Sequence, residues 1–419
     1  MNELSKRREN LLDLLKENSV AIIFSGVEKY KSEDATYNFK ANNNFFYLTG
    51  INQDHSVLLL IKTLNERKAY LFIDEFSELK EKWTGRRLTY DEAGQLANMS
   101  NVYSMNSFQS MLELALTNEN NQYGNISNVY IDLSNELKIE DGVYTTDFAK
   151  ELCDNHRHLT LLDVKPLITS LRMVKSEYEI NQLKDAISLT NLGLNKLICC
   201  LKPGIFEYEL ADIFEFFGRE HGRSGLAFDT IVASGKNATC LHYPTQNCSV
   251  KSHDLVLFDL GYSANGYSAD ISRTYPVDGV FEGVNKEIYE SVLAANKAVI
   301  NAAKPGVSIY DLQQLTKQVL KDECVKRSLL KPEDDIIKVY YHNISHHLGL
   351  DTHDVSNREK PLEPGNVITV EPGLYFASYG VGVRIEDDIL ITEKEAIVLS
   401  KDIAKEVADI EKLFRTKGK

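Results

Sequence analysis

Short, fully apolar runs separated by polar stretches set the character of the N-terminal part of this chain. VAIIFSG, SVLLLIK, KAYLFID and NVYID are mostly β-branched and aliphatic, the pattern of buried strands. Between them lie segments of helical period such as SFQSMLELAL. This alternation predicts an α/β domain, and it runs out near KPLITSLRMVKSEYE. There Ser176 and Glu179 are spaced as a capping box. Ile180, Leu183 and Ile187 then recur at helical spacing until Pro203 and Gly204 stop the helix. Residues 1–170 are therefore expected to form an N-terminal α/β domain and residues 171–419 a second domain.

The second region echoes itself. LKPGIFEYELADIF matches AKPGVSIYDLQQLT, with Lys202, Pro203, Gly204, Tyr208 and Leu210 recurring as Lys304, Pro305, Gly306, Tyr310 and Leu312 at a constant offset of 102. Each copy follows a long helical stretch and precedes strands. The pattern predicts two related αβ halves, with helices covering the outer face of a curved antiparallel sheet.

Candidate chemistry lies on the strands of both halves. FDLGYSANGYSADISRTY contains Asn265-Gly266, a preferred pair for a two-residue hairpin turn in which both central positions need φ > 0. Pairing about that turn sets Asp259 opposite Ser272 and Asp270 opposite Gly261. The two aspartates then share a face, diagonal to each other and roughly 7–8 Å apart at Cα. Carboxylates at that separation repel each other unless a cation lies between them, although two acids on an exposed sheet edge would satisfy the same pattern. NVITVEPGLY and VGVRIEDDILI carry a second acidic pair, Glu371 and Glu386, joined by a glycine-containing return loop, GLYFASYGVGV, whose length does not set a register. Pro372 favours extended geometry at Glu371. Arg384, two residues before Glu386, shares its face and can support the carboxylates by hydrogen bonding. With His346 in HNISHHLGLDTHD, four carboxylates and one imidazole would balance two dications.

Composition narrows the alternatives. With 419 residues, 43% hydrophobic and 26% charged, the chain is an ordinary globular one of two-domain size. A net charge of −14 without any Lys/Arg run argues against a nucleic-acid partner. No apolar stretch approaches a membrane span, and MNELSKRRENLLDLLKENS is amphipathic without a signal-peptide core, so a cytoplasmic protein with no membrane partner is expected. The six cysteines show neither CxxC nor paired spacing and read as reduced, buried, small apolar side chains. GYSAN lacks the second glycine of a serine nucleophile elbow, ASGKNAT lacks P-loop spacing, and HExxH is missing.

DLGYSANGYSADISRTYPVDG, SHHLGLDTHDV, GNVITVEPGLYF and GVRIEDDILIT, in that order, resemble the metallopeptidases of the pita-bread fold. The resemblance is closest to the aminopeptidase P and Xaa-Pro dipeptidase branch, and it reaches upstream through LRMVKSEYEINQLKDA to NNNFFYLTG and EKWTGRRL. It implies an α/β (α+β) architecture, an N-terminal α/β domain concerned with specificity and oligomer contacts, and a catalytic pita-bread domain of two pseudo-repeated halves. It also implies that Asp259 chelates one metal, that Asp270 and Glu386 bridge two, and that His346 and Glu371 complete the second. The metals would most often be Mn²⁺, with Co²⁺ or Zn²⁺ as alternatives, and a mostly carboxylate donor set suits them.

Further roles follow from the same resemblance. Glu371 would move the proton of the attacking water, His353 would stabilise the reacting carbonyl, His242 would hydrogen-bond substrate, and His342 would line a proline pocket. Trp83 would reach across a subunit contact in a homodimer or homotetramer, with Asp34 and Tyr37 as rim residues. Taken alone, each of these three histidines reads more readily as an ordinary loop or core residue. The chain departs from the family pattern at His347, where Trp is frequent, and at Phe228, where Tyr is common. The adjacency of His346 and His347 leaves the choice of ligand open. The implied activity is that of an Xaa-Pro aminopeptidase, releasing the first residue of peptides with proline second. A dipeptidase restricted to Xaa-Pro and a metal-free binding module of the same fold are the alternatives. Methionine aminopeptidases share the ligands but ordinarily lack a domain like residues 1–170.

Overall fold

Residues 2–74, 76–117, 123–134, 136–140, 142–222 and 225–416 are described by a computed structural model. The chain divides into two units, Met1–Leu171 and Arg172–Lys419.

The first unit is built on a six-stranded mixed sheet. Its order is Val102–Ser104, Arg67–Ile73, Val57–Lys62, Ser19–Phe24, Asn128–Ile131 and Thr160–Asp163. The three central strands form an antiparallel meander, and the outer strands join parallel to it. Ser19–Phe24 and Val57–Lys62 are buried at every position, which is why they read as continuous apolar runs. Val20, Ile22, Leu59 and Phe72 pack against Phe108 and Leu112 of the helix Phe108–Thr117, and each fully buried aliphatic or aromatic side chain contributes about 1.5–3 kcal/mol. The outer strands Val102–Ser104 and Thr160–Asp163 are largely part-exposed, and they escape detection by hydrophobic pattern for that reason.

The second unit contains the two related halves. Gly204 and Gly306 both close their Lys-Pro-Gly turns with positive φ, 91° and 89°, a conformation that costs glycine little. The helices Glu207–Gly222 and Ile309–Lys326 follow these turns and pack against Glu177–Cys200 and Gly283–Ala302, respectively. The capping box of Ser176 and Glu179 is formed at the start of Glu177–Cys200. The first half carries the antiparallel strands Ile231–Ser234, Leu255–Leu260 and Ile271–Pro276. The second carries Val367–Val370, Asp387–Ile391 and Ala396–Val398.

Three expectations are revised. GLYFASYGVGV is a hairpin rather than a loop, with Gly373–Phe376 pairing antiparallel to Val381–Arg384. Nor is VGVRIEDDILI a single strand. The ladder breaks at Glu371-Pro372 and across from it at Ile385-Glu386, since proline has no N–H to donate. The freed amides go elsewhere: Glu371 N donates to Ile344 O at 3.0 Å and Glu386 N to Ser272 O at 3.0 Å. The cysteines are not a buried set. Cys324 is buried, Cys153 and Cys200 are half-buried, and Cys199, Cys240 and Cys248 are exposed, because a helix end and a surface loop decide burial there rather than side-chain type. Among the described residues, no helix is long and apolar enough to cross a membrane.

Candidate metal centre

The first hairpin has the register that its turn dictates. Asn265 and Gly266 take φ of 48° and 88°, Ser263 pairs with Ser268, and Asp259 pairs with Ser272. Between these ladders the backbones crowd. A Cβ on Gly261 would lie 1.9 Å from the Ala269 carbonyl oxygen, so only glycine fits there. The Asp270 amide leaves the ladder and donates to Asp388 Oδ2 at 3.2 Å. In the second hairpin Val370 pairs with Asp387 and Gly373 with Arg384. One register therefore spans the break and sets Glu371 across from Glu386.

His346 meets these carboxylates from the preceding loop. Its backbone N–H donates to Thr369 Oγ1 at 3.2 Å, and its Nδ1 lies 3.0 Å from the His347 carbonyl oxygen. A carbonyl can only accept, so Nδ1 carries a hydrogen and donates it, which leaves Nε2 as the atom aimed at the carboxylates. Nε2 lies 3.4 Å from Asp270 Oδ2 and 3.6 Å from Glu371 Oε1. One ligand atom each from Asp270, His346 and Glu386 lie within 4.8 Å of one another. Asp259 Oδ2 accepts from Arg384 at 2.6 Å, whereas its buried Oδ1 has no hydrogen-bond partner among the described residues. An orphaned carboxylate oxygen beside convergent acids and an imidazole whose Nε2 faces them fits a divalent cation.

The electrostatics agree. Burial pushes the Asp270 carboxyl well above the usual range, and the charges of Asp259 and Glu371 push it further. Burial does the same to Glu386, followed by Asp270 and Asp259. Glu371 is pushed up to about 8, first by burial and then by Glu386. Without a cation, the cluster resists carrying its full negative charge.

The remaining site residues form a surround. Arg384 donates to Asp259, to Ser272 Oγ at 2.7 Å and to Tyr375 Oη at 3.0 Å. Tyr375 Oη in turn lies 2.8 Å from His342 Nε2. His342 Nδ1 donates to Asn343 O at 2.8 Å, and burial pushes the ring down to about 4. The rings of His353 and His346 meet edge to face at 4.2 Å. His242 is exposed on the loop after Gly235–Thr239, close enough that its charge opposes protonation of both His342 and His353. Of the adjacent histidines, His346 faces the acids. His347 is buried away from them, held neutral by burial and then by Lys175, and pushed down to about 4. Phe228 is half-buried beside Gly261. In the first unit, Trp83 is 85% exposed on the short helix Glu78–Thr84, and Asp34 and Tyr37 are also exposed.

Several supporting residues escaped the sequence reading. Ser272 donates to Glu386 Oε2 at 2.7 Å; its place opposite Asp259 was the available signal. Tyr375, Thr369 and Asp388 carried no such signal, since each acts through a strand crossing. Arg172 and Lys175 both clasp the buried Asp354, at 2.5 and 2.9 Å, and so anchor the residue after His353.

Comparison with known proteins agrees with this geometry. Residues 181–393 match metallopeptidase family M24, and residues 4–123 match the aminopeptidase P N-terminal domain. The chain is 35% identical to the Xaa-Pro aminopeptidase of Haemophilus influenzae, over 98% of this chain and 97% of that protein. A Bacillus anthracis structure assigned to aminopeptidase P superposes with a TM-score of 0.94 at 38% identity, covering 99% of this chain and 98% of the other. Zinc-substituted Escherichia coli aminopeptidase P in complex with product superposes with a TM-score of 0.90 at 31% identity, covering 100% and 98%. The chain belongs to the M24 metallopeptidases, in the aminopeptidase P branch of the pita-bread fold. It is a metal-dependent enzyme of that class.

Proposed function

We propose that this enzyme is an Xaa-Pro aminopeptidase that hydrolyses the bond before a proline in second position, using two divalent cations, by preference Mn²⁺. The observation that carries this reading is the convergence of Asp270, His346 and Glu386 with Asp259 and Glu371 beside them. Asp259, Asp270, His346, Glu371 and Glu386 are the residues that would hold the cations. Bound cations supply Lewis acidity, which acidifies water and polarises a carbonyl.

The chain's own residues do the rest. Glu371, placed beside the cations, takes the proton of the attacking water and returns it to the departing proline nitrogen. That return matters because a proline amide has no N–H and must leave as an amine. A neutral His353 donates a hydrogen bond to the developing oxyanion. His242 binds the substrate backbone, and His342, flanked by the Tyr340 ring at 4.9 Å and the Tyr375 ring at 5.5 Å, lines the proline pocket. Arg384 holds Asp259 in place. Trp83, apolar and solvent-facing, would reach a neighbouring subunit's site in a homodimer or homotetramer, with the first unit serving specificity. A cytoplasmic location accompanies this reading.

The test compares hydrolysis of Xaa-Pro-Yaa, Xaa-Pro and Met-Ala peptides with and without Mn²⁺. Metal-dependent cleavage of Xaa-Pro-Yaa is expected. Cleavage of the dipeptide alone would return the assignment to a dipeptidase, which the naming of the relatives as Xaa-Pro aminopeptidases disfavours.

A further inference from the structure

Glu207 is a carboxylate with 0% exposure at the first position of the helix Glu207–Gly222. Its hydrogen bonds come from neutral donors in two separate segments. Oε1 accepts from Ser234 N at 2.7 Å, Ser234 Oγ at 2.7 Å and Asn237 Nδ2 at 2.9 Å. Oε2 accepts from Cys248 N at 3.1 Å. Ser234 and Cys248 bracket residues 235–247, the segment that carries His242, and Asn237 lies within it. The backbone reinforces the clamp, because Glu207 N donates to Cys248 O at 3.0 Å and Tyr208 N to Gln246 O at 2.9 Å.

The clamped segment lies against the metal centre's supports. Ala238, Leu241 and Tyr243 pack in one cluster with Tyr375, whose hydroxyl bonds to His342 and Arg384. The Thr239 carbonyl accepts from Tyr341 Oη at 2.6 Å. A Cβ on Gly382 would lie 2.0 Å from the Ala238 carbonyl oxygen, so the segment and the second hairpin meet backbone to backbone. His242 sits between Leu241 and Tyr243, and its placement follows from theirs.

The chain contains its own control. In the second half, 102 residues on, the same Lys-Pro-Gly turn and helix form with Ile309 at the corresponding position. Ile309 is partly buried against an apolar cluster. The supersecondary unit therefore does not need a carboxylate there, and burying one is costly unless it is well hydrogen-bonded. The difference between the halves is the segment that Glu207 holds.

We propose that Glu207 is a positioning residue for substrate recognition: by clamping both ends of the 234–248 segment, it fixes His242 beside the metal centre. This rests on the reading of the enzyme as an Xaa-Pro aminopeptidase with His242 on the substrate. Glu207→Ala leaves the donors on Ser234, Asn237 and Cys248 without this acceptor, those of Ser234 being buried. Glu207→Gln keeps the Oε1 acceptor and turns an N–H toward Cys248, so it loosens one end only.

The test is a double-mutant cycle on the full-length, Mn²⁺-loaded enzyme, measuring kcat/KM for an Xaa-Pro-Yaa peptide together with metal content. Glu207→Ala should lower kcat/KM at least tenfold and Glu207→Gln by a smaller factor of at least threefold, with metal content unchanged. In a His242→Ala background, either change should cost less than twofold more. An equal cost in both backgrounds, or a loss of metal that accounts for the whole effect, overturns the proposal, as does an unchanged kcat/KM. If Glu207→Ala does not fold, the Glu207→Gln arm decides by the same criteria. A wild-type enzyme inactive on Xaa-Pro-Yaa with Mn²⁺ present would instead refute the functional reading.

Discussion

Removing the metals should make the protein lose stability as pH rises through neutrality. Glu371 is pushed from an ordinary 4.5 to about 8 in the fold. Such a group favours the folded state below its unfolded value, and that contribution is lost as pH rises toward the folded value. His342 and His347 act in a different window. Both are pushed from 6.5 to about 4, so their contribution is present above pH 6.5 and lost on acidification. Between pH 6.5 and 8 the folded histidines are neutral, and each adds back only about 0.4 kcal/mol as the unfolded ring loses its remaining half proton, so the carboxylates dominate. Over that interval Glu371 alone should cost roughly 1.5–2 kcal/mol, at 1.36 kcal/mol per unit with half-titration at the upper end. Asp270, Glu386 and Asp388, all raised well above their ordinary range by burial first, act in the same sense. The assay is urea unfolding of the chelator-treated and Mn²⁺-loaded protein at constant ionic strength from pH 6.5 to 8. The metal-free protein should weaken, the stabilisation conferred by Mn²⁺ should grow with pH, and Glu371→Gln should flatten the metal-free slope. Metal-free stability that is constant or rising across this interval would refute the reasoning.

Other changes probe the supports of the site. Arg384→Lys keeps the charge but cannot reach Asp259, Ser272 and Tyr375 together, so kcat/KM should fall about 10–100-fold; a loss under threefold would contradict the role given to Arg384. Gly261→Ala places a methyl 1.9 Å from the Ala269 carbonyl oxygen, and should cost about 1–3 kcal/mol in urea unfolding and weaken Mn²⁺ binding in a titration. Arg273 is fully buried, donating to Asp387 Oδ1 at 2.8 Å and to the carbonyls of Ser272, Glu386, Ile403 and Ala404. Arg273→Met should therefore destabilise by about 3–5 kcal/mol, and a change below 1 kcal/mol in the unfolding midpoint analysis would argue against that charge pairing.

The first hairpin was legible residue by residue. Asn265-Gly266 sets the turn, the turn sets the register, and the register puts Asp259 and Asp270 on one face with Ser272 opposite Asp259. The second hairpin was legible only in part. Its acids stood out on apolar strands, but the tight return at Gly380 and the break opposite Pro372 depend on pairing that no local pattern expresses. Apolar periodicity found the buried strands of the first unit and missed Val102–Ser104 and Thr160–Asp163, whose side chains are largely part-exposed. Cysteine burial was misread because residue type is a weak guide on a loop or at a helix end.

By itself, the sequence determined the donor types, the hairpin that aligns the two aspartates, the Lys-Pro-Gly turns of both halves, and the family, since each is written in contiguous residues with local consequences. Tertiary structure decided which of two adjacent histidines turns to the acids. It also decided which donors gather around Glu207, and how Arg384 ties Asp259, Ser272 and Tyr375 into one network. Those choices join residues far apart in the chain, and they are settled by the packing of backbones and the satisfaction of buried polar groups rather than by any short-range preference.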